Sequence, residues 1–548
     1  MALADLNRAL NIAPNRERKM DQAKYDRLLE RAKRTIDLFT FDEFIRFWAK
    51  DRPEIIALDG DDLSLTYGEL EDATARVASA LLALGLKKGD RVSWFGKNAT
   101  TYFTLFFGAA RAGIVMTPVG WRLAEPEAAF IIDNAEAKVL FLGDGFEACA
   151  NTLGKRPGLI ACYTAEETRK VMKETPRAEF EPSGPNDAVL QLYTSGTTGN
   201  PKGAVLSNAN LFALRKAGVD NPHPYTLMDE DEAILVAMPC AHIGGTGLGV
   251  MSLAAGLPGV VLSEFEPTRV FDAVVNRGVT RFFIVPAALA LLLQHPDCAK
   301  TDFSRLRYIL YGASPIPLEL LRQCIAMFGA DFIQAYGMTE TTGTICTLPP
   351  EDHSVEGNQR MRSAGKPLPG VEVMIRGQDG QAMPVGAIGE IVTRSSNNML
   401  GYWKLPEATA STMDADGWIA TGDVGYMDED GYVYMYDRAK DMIITGGENV
   451  YPAEVESGIY GHPDVLEVAV IGVPDAKWGE AVKAICVPKP GHTIDPDSII
   501  GWARERLAGF KVPKSVDTIE ALPRNPSGKI LRRELRAPYW AGYDRQVN

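Results

Sequence analysis

The sequence predicts an α/β chain, and three features carry that reading. Short apolar runs without polar alternation recur through the first 340 or so residues, separated by stretches of helical length. Such runs suit strands buried on both faces, in mainly parallel sheets covered by helices. Near residue 370 the rhythm changes to strands separated by turn residues, which marks a small β-rich subdomain. A further unit follows, and at 548 residues the chain is too long for one hydrophobic core.

Each element follows in order. Residues 1–36 are polar, and Ala23–Glu30 carries apolar residues at helical spacing. They read as a helical N-terminal extension with no assigned chemistry. Leu70, Val77, Leu81 and Leu84 recur on one face of a helix. Strands are expected at 91–95, 138–142, 188–192, 234–238, 260–262, 282–285 and 308–311. Residues 332–337 read as strand and turn. Residues 371–375 and 389–393 are strands of the β-rich part, about 365–437. The C-terminal unit shows a helix (455–460), two strands (465–472, 482–487) and a helix (498–507), a βαβ-like rhythm. The expected boundaries are 1–36, 37–437, a hinge at 438–442, and 443–548.

Composition narrows the partners. A net charge of −14 and a pI near 5.1 argue against a general binder of nucleic acid or anionic membrane. The seven cysteines are scattered and lack a CxxC pair, so buried free thiols in a reducing cytoplasm are expected, with no zinc site. The longest uncharged region, Ala233–Ser263, holds two prolines, six glycines and His242. It reads as strand–turn–helix–strand, not as a membrane span. The N-terminus lacks an apolar signal core and mixes acids among its basic residues, so a cytoplasmic protein is expected.

Chemistry concentrates in the stretch Tyr193-Thr194-Ser195-Gly196-Thr197-Thr198-Gly199-Asn200-Pro201-Lys202-Gly203, directly after an apolar strand. Glycines let the backbone N–H groups approach an anion, the hydroxyls add donors, and Lys202 adds a point charge. The reading is a phosphate cradle, most simply for ATP. It is not a Walker A loop, because only two residues separate Gly196 from Gly199 and Lys202 is followed by Gly203.

That residue order resembles the signature loop of the adenylate-forming superfamily, which includes acyl-CoA synthetases, luciferases and peptide-synthetase adenylation domains. Four further motifs match in order: Tyr336-Gly337-Met338-Thr339-Glu340, Thr421-Gly422-Asp423, Asp437-Arg438-Ala439-Lys440-Asp441 and Pro526-Ser527-Gly528-Lys529-Ile530. The resemblance spans roughly residues 40–540. It implies two mainly parallel sheets in the large N-terminal domain and a small, mobile α+β C-terminal domain. It also implies ATP, Mg²⁺ and coenzyme A.

By this resemblance Glu340 binds the metal, with Thr197 as a second ligand, and Thr339 touches phosphate. Thr194, Ser195, Gly196, Thr197, Thr198, Gly199 and Lys202 hold the phosphates. Tyr336 packs on adenine, with Gln334, Ala335 and Gly337 beside it, and Gly312, Ala313 and Ser314 line the adenine and acyl sites. Asp423 and Arg438 hold the ribose. Lys529 reaches the carboxylate and α-phosphate oxygens, where a cation offsets repulsion between two anions. Lys440 is the hinge about which the small domain rotates between half-reactions. Gly446, Gly447 and Glu448 then face the adenylate and open a thiol channel. His242 matches a gate beside the acyl tunnel. Ile444 stands where coumarate-type ligases carry a lysine.

The segment 238–248 holds no acidic residue to bind an α-ammonium group. The small residues Gly244, Gly245, Thr246, Gly247, Ala313 and Gly337 suggest a roomy apolar pocket. A medium or long, branched or ring-bearing acid is expected, with an aryl acid as an alternative. The expected activity is ATP-dependent acid–CoA ligation. The rival is loading of a carrier protein in trans, since the sequence runs only 19 residues past Lys529. A luciferase-type side activity and a silent nucleotide-binding scaffold are lesser alternatives, and the scaffold's signature, loss of Lys529, Glu340 or Asp423, is not seen. A homodimer is one expectation for assembly.

Overall fold

A computed structural model describes residues 20–194, 200–438, 441–446, 448–475, 477–524 and 530–541, with the backbone alone at Asp437, Arg438 and Asn449. In chain order the strands begin with β1 (Ile56–Gly60), β2 (Ser64–Thr66), β3 (Arg91–Phe95), β4 (Val115–Val119), β5 (Ala137–Leu142) and β6 (Ala161–Tyr163). Then come β7 (Ala188–Thr194), β8 (Lys202–Ser207), β9 (Ile234–Val236), β10 (Gly259–Val261), β11 (Arg281–Ile284), β12 (Tyr308–Gly312) and β13 (Asp331–Met338). β14 (Gly343–Leu348), β15 (Lys366–Pro367), β16 (Glu372–Arg376), β17 (Gly389–Arg394), β18 (Gly401–Tyr402), β19 (Ile419–Met427) and β20 (Val433–Arg438) follow. The C-terminal unit holds β21 (Ile443–Thr445), β22 (Glu448–Val450), β23 (Val465–Asp475), β24 (Gly479–Pro488) and β25 (Ser515–Thr518).

Two large sheets organise the first part. One runs β15-β14-β13-β12-β11-β9-β10-β1-β2, parallel from β13 to β1 and antiparallel at its margins. The other runs β18-β8-β7-β4-β3-β5-β6, parallel from β7 to β6. Its last two strands, β8 and β18, are antiparallel. β3 and β4 are buried at every residue, including Arg91, Ser93 and Thr117, as befits central strands covered on both faces. The helix Thr100–Arg111 is buried on all sides and shares one core with strands of both sheets. Its Arg111 is fully buried, held by Asp42 at 2.8 Å and Glu71 at 3.2 Å.

Strands β16-β17-β19-β20 form a separate antiparallel sheet. The region 233–263 is β9, the helix Ile243–Ala255 and β10. Among the described residues no helix is long and apolar enough to cross a membrane. The helix Gln22–Lys33 starts at Asp21, whose carboxylate accepts from the Lys24 N–H at 2.7 Å.

Two expectations need correction. β23 and β24 pair antiparallel, because residues 476–478 are too short a link for a crossover. Among the described residues of the C-terminal unit, β24, the helix Pro496–Arg504 and β25 form a parallel βαβ unit. Five of the seven free cysteines are buried, but Cys149 and Cys162 are half-buried.

Candidate active site

The residues read in the sequence as phosphate-binding come from strand ends in both large sheets. β7 ends at Thr194 and β8 begins at Lys202, and these two residues pair. The loop between them, with Ser195, Gly196, Thr197, Thr198 and Gly199, lies outside the described residues. From the other sheet, β13 runs into the 3₁₀ turn Thr339–Thr341. There Thr339 is half-buried and Glu340 is 5% exposed.

Three elements meet at Glu340. The Tyr402 hydroxyl donates to Glu340 Oε1 at 2.7 Å. The Thr194 hydroxyl lies 3.4 Å from the same oxygen, a longer contact. The Met399 N–H donates to the Glu340 carbonyl at 2.8 Å. Lys202 Nζ stands 5.1 Å from the Tyr402 ring centroid, within cation–π range. Burial, then the Glu340 carboxylate, raises the Tyr402 phenol well above its ordinary pKa, so it stays a donor. Tyr402 was missed in the sequence. It lies 62 residues from Glu340, and no spacing signals the contact.

Further back along β13, the Tyr336 hydroxyl donates to Asp423 Oδ2 at 2.8 Å, and both residues are buried. Burial, then the Asp423 charge, raises the Tyr336 phenol. Asp423 is fixed from below: its N–H donates to the Thr421 hydroxyl (3.1 Å), which donates to the Ile391 carbonyl (2.7 Å). Asp423 pairs in register with Arg438 across β19 and β20. Tyr311 lies with its hydroxyl 3.1 Å from Gln334 Oε1 and 3.0 Å from His353 Nε2. Burial drives the His353 pKa down to about 4, and its Nδ1 sits 2.8 Å from the Pro349 carbonyl. Ala335 is buried beside Tyr336.

Among the small residues read in the sequence as an acid pocket, several have backbone reasons for their size. A Cβ at Gly312 would sit 2.0 Å from the Ala335 carbonyl oxygen, and one at Gly337 1.7 Å from that of Gly343. At Gly245 it would lie 2.3 Å from the carbonyls of Met238 and Pro239. Thr246 is fully buried, bonded to the Cys240 carbonyl at 2.6 Å and paired with the Tyr102 hydroxyl at 2.7 Å. Gly245, Thr246 and Gly337 therefore report close packing, not pocket space, which corrects the sequence reading. Gly244 faces Phe283, whose ring would lie 2.9 Å from an added Cβ. Gly247 meets only Ile243, at 3.8 Å. Ala313 is exposed with φ 66°, and Ser314 is half-buried. His242 is the half-buried residue before the helix Ile243–Ala255.

In the C-terminal unit, Gly446 takes φ 62° and donates its N–H to the Trp478 carbonyl at 2.8 Å. A Cβ there would come 2.7 Å from the Trp478 ring. Glu448 is exposed at the start of β22. Lys440, Gly447 and Lys529 lie outside the described residues, and Arg438 is described only as the end of β20.

Among the described residues no group of three or more His, Cys, Asp or Glu side chains forms a metal cage. One buried carboxylate with two neighbouring hydroxyls suits a hard cation such as Mg²⁺, which keeps water and substrate phosphates as its other ligands.

The profile of the AMP-binding enzyme family matches residues 45–403, and that of the AMP-binding enzyme C-terminal domain matches 454–529. A fatty acid–[acyl-carrier-protein] ligase, ScoC, of Streptomyces coeruleorubidus is 40% identical over 507 residues, covering 92% of this chain and 97% of that protein. A feruloyl-CoA synthase of an Amycolatopsis species is 40% identical over 489 residues, 89% of this chain and 96% of that one. Among solved structures, ATP-bound MatB from Rhodopseudomonas palustris superposes with TM-score 0.82 at 32% identity, over 92% of this chain and 99% of its own. The o-succinylbenzoate CoA synthetase MenE from Bacillus subtilis, in complex with ATP and magnesium, gives TM-score 0.79 at 32% identity, covering 90% and 98%. With a profile match over more than half its length and this fold, the chain belongs to the AMP-binding enzyme family, among its ATP-dependent acid–thiol ligases.

Proposed function

We propose that the chain is an AMP-forming acid–CoA ligase for a medium or long, branched or ring-bearing carboxylic acid. The observation that carries this is the meeting of Thr194, Lys202, Tyr402 and Glu340 where two sheets end, with the Tyr336–Asp423 pair on the same strand. A carboxylate oxygen of the acid attacks the α-phosphorus of ATP, and pyrophosphate leaves. The thiol sulfur then attacks the acyl carbon and loses its proton, and AMP leaves with the bonding electrons.

In this reading Lys202 and the loop before it bind the phosphates, with Thr339 beside them. Glu340 and Thr197 would hold Mg²⁺, which supplies charge neutralisation to the phosphate oxygens when bound. Tyr336 packs on adenine, with Gln334, Ala335 and Gly337 beside it, and Asp423 and Arg438 take the ribose hydroxyls. Lys529 serves the first step from the small domain. Residues 438–442, with Lys440, form the hinge between 37–437 and 443–548. After rotation, Gly446, Gly447 and Glu448 line the thiol channel. His242 and Gly244 border the acid.

A carrier-protein thiol is the second reading of the acceptor, favoured by the 40% identity to a fatty acid–[acyl-carrier-protein] ligase. A panel of straight-chain, branched and aryl acids, assayed for pyrophosphate release with and without CoA, tests both readings. Sustained AMP production only with CoA supports the ligase. A single turnover of pyrophosphate that CoA does not extend moves the assignment to a carrier protein. No release with any acid rejects the adenylating activity.

A further inference from the structure

One short segment, residues 399–403, touches both Glu340 and the strand that begins at Lys202. Its first N–H holds the Glu340 main chain, and its Tyr402 hydroxyl holds Glu340 Oε1. The same segment is pinned to β8: the Leu400 N–H donates to Val205 at 2.9 Å and the Trp403 N–H donates to Gly203 at 2.8 Å. Gly401 and Tyr402 pair with Val205 and Ala204. β8 is the strand that begins with Lys202.

A second layer fixes the far end. The Trp403 indole N–H donates to the Asn134 carbonyl at 3.0 Å, and the Arg91 guanidinium lies 3.3 Å from the Trp403 ring centroid. Asn134 also accepts from the Tyr193 hydroxyl at 2.6 Å, and Tyr193 directly precedes Thr194. Glu340, in the turn after β13 of one sheet, is thus tied through residues 399–403 to β8 and, by way of Asn134, to β7 of the other sheet.

We propose that Tyr402 is a positioning residue: its phenol fixes one oxygen of the Glu340 carboxylate, so that the other is presented to the magnesium ion carried in with ATP. This rests on the reading of Glu340 as the metal carboxylate. The described contacts agree in direction, since both neighbouring hydroxyls fall on Oε1. A carboxylate held at one oxygen loses less rotational freedom when a cation arrives, and a donor to a metal-binding group orients it. Lys202 beside the same ring ties the phosphate cation and the metal carboxylate to one side chain.

The test is Tyr402→Phe, which removes one oxygen and leaves the ring beside Lys202 and the main-chain pairing with β8. Melting and circular dichroism check that the full chain folds. Binding of Mn²⁺, as a spectroscopic probe of the metal, is followed by electron paramagnetic resonance with a non-hydrolysable ATP analogue. Metal-free binding of that analogue is measured by calorimetry, and Glu340→Gln runs in parallel. The expected result is a loss of Mn²⁺ affinity of about 10- to 100-fold in Tyr402→Phe. Metal-free nucleotide binding and the KM for the acid stay near wild type, while the Mg²⁺ needed for half-maximal rate rises by the same factor. A general structural defect would instead weaken nucleotide and acid binding together, and that pattern overturns the proposal. If Glu340→Gln weakens Mn²⁺ but Tyr402→Phe does not, the role of Tyr402 falls and the metal reading stands. If neither variant changes Mn²⁺ binding, the assignment of Glu340 fails and this inference fails with it.

Discussion

The proposed phosphate and ribose side of the site and the proposed acid side are built on opposite principles. The first is made by polar groups that converge: Tyr402 and Thr194 on Glu340, Tyr336 on Asp423, Thr421 beneath Asp423. The second is marked by side chains that are missing at Gly244 and Gly247, where only the side chains of Phe283 and Ile243 stand near an added Cβ. A convergent polar cluster fixes one chemistry, because each buried group needs its partner. A surface of absent side chains fixes only shape, which a single methyl can alter.

If that contrast is right, changes on the polar side should alter rate or stability steeply, and changes on the acid side should alter selectivity mildly. The largest effect expected is for Lys529→Ala, in a residue assigned by its motif. Loss of one cation aimed at transition-state charge costs about 100- to 1000-fold in rate. Single-turnover assays should show that loss in acyl-AMP formation, while thioester formation from supplied acyl-AMP is largely kept. Equal loss in both steps would break the division of labour between the two orientations.

The next effect is a pH dependence of stability behind the nucleotide side. His353 has a folded-state pKa near 4, against 6.5 for the free side chain, because burial disfavours the imidazolium. Between those values the unfolded chain binds more protons, so stability falls as pH drops from 6.5 towards 4 and is complete above 6.5. The shift corresponds to about 3 kcal/mol at most. Other groups titrate in this window, so the check is a comparison: His353→Gln should show a shallower fall in melting temperature over it than the native chain. An identical slope would remove His353 from the account.

Gly337→Ala should cost about 1–3 kcal/mol, because a Cβ would press on the Gly343 carbonyl of the neighbouring strand and the backbone would have to shift. Chemical denaturation measures this directly. A variant of native stability with altered acid preference would restore the pocket role that the packing argues against.

Much of this was legible in the sequence. β3 is expected and found at the same five residues, because the turn Lys88-Gly89-Asp90 marks its start and Val92, Trp94 and Phe95 give it β-forming apolar side chains. Thr194, Lys202, Glu340, Tyr336 and Asp423 could be named because their motifs keep local order; the fold pairs Thr194 with Glu340 and Tyr336 with Asp423, while Lys202 lies beside Tyr402. Tyr402 could not be named, since its contact depends on β18 adding to β8 while Glu340 arrives from the other sheet. Gly245 and Gly337 were misread for a related reason. A glycine looks the same in sequence whether it clears space for a ligand or lets two backbones approach.

Gly244 is the residue at which those two roles can be separated. Its added Cβ would meet an aromatic ring at 2.9 Å, not a backbone carbonyl, and the Phe283 side chain can give way where a strand cannot. Gly244→Ala should therefore fold with near-native stability. The displaced ring and the new methyl would both take volume from the acid side, and one methylene in an apolar pocket shifts selectivity by only about 1–3 kcal/mol. The expected result is a fall in kcat/KM for the longest or bulkiest accepted acids relative to the shortest, with the KM for ATP unchanged. A uniform loss across all acids would mean that the helix Ile243–Ala255 had moved as a whole. An unchanged acid profile would remove Gly244 from the lining and leave the acid site to be sought elsewhere along the ends of β11 and β12.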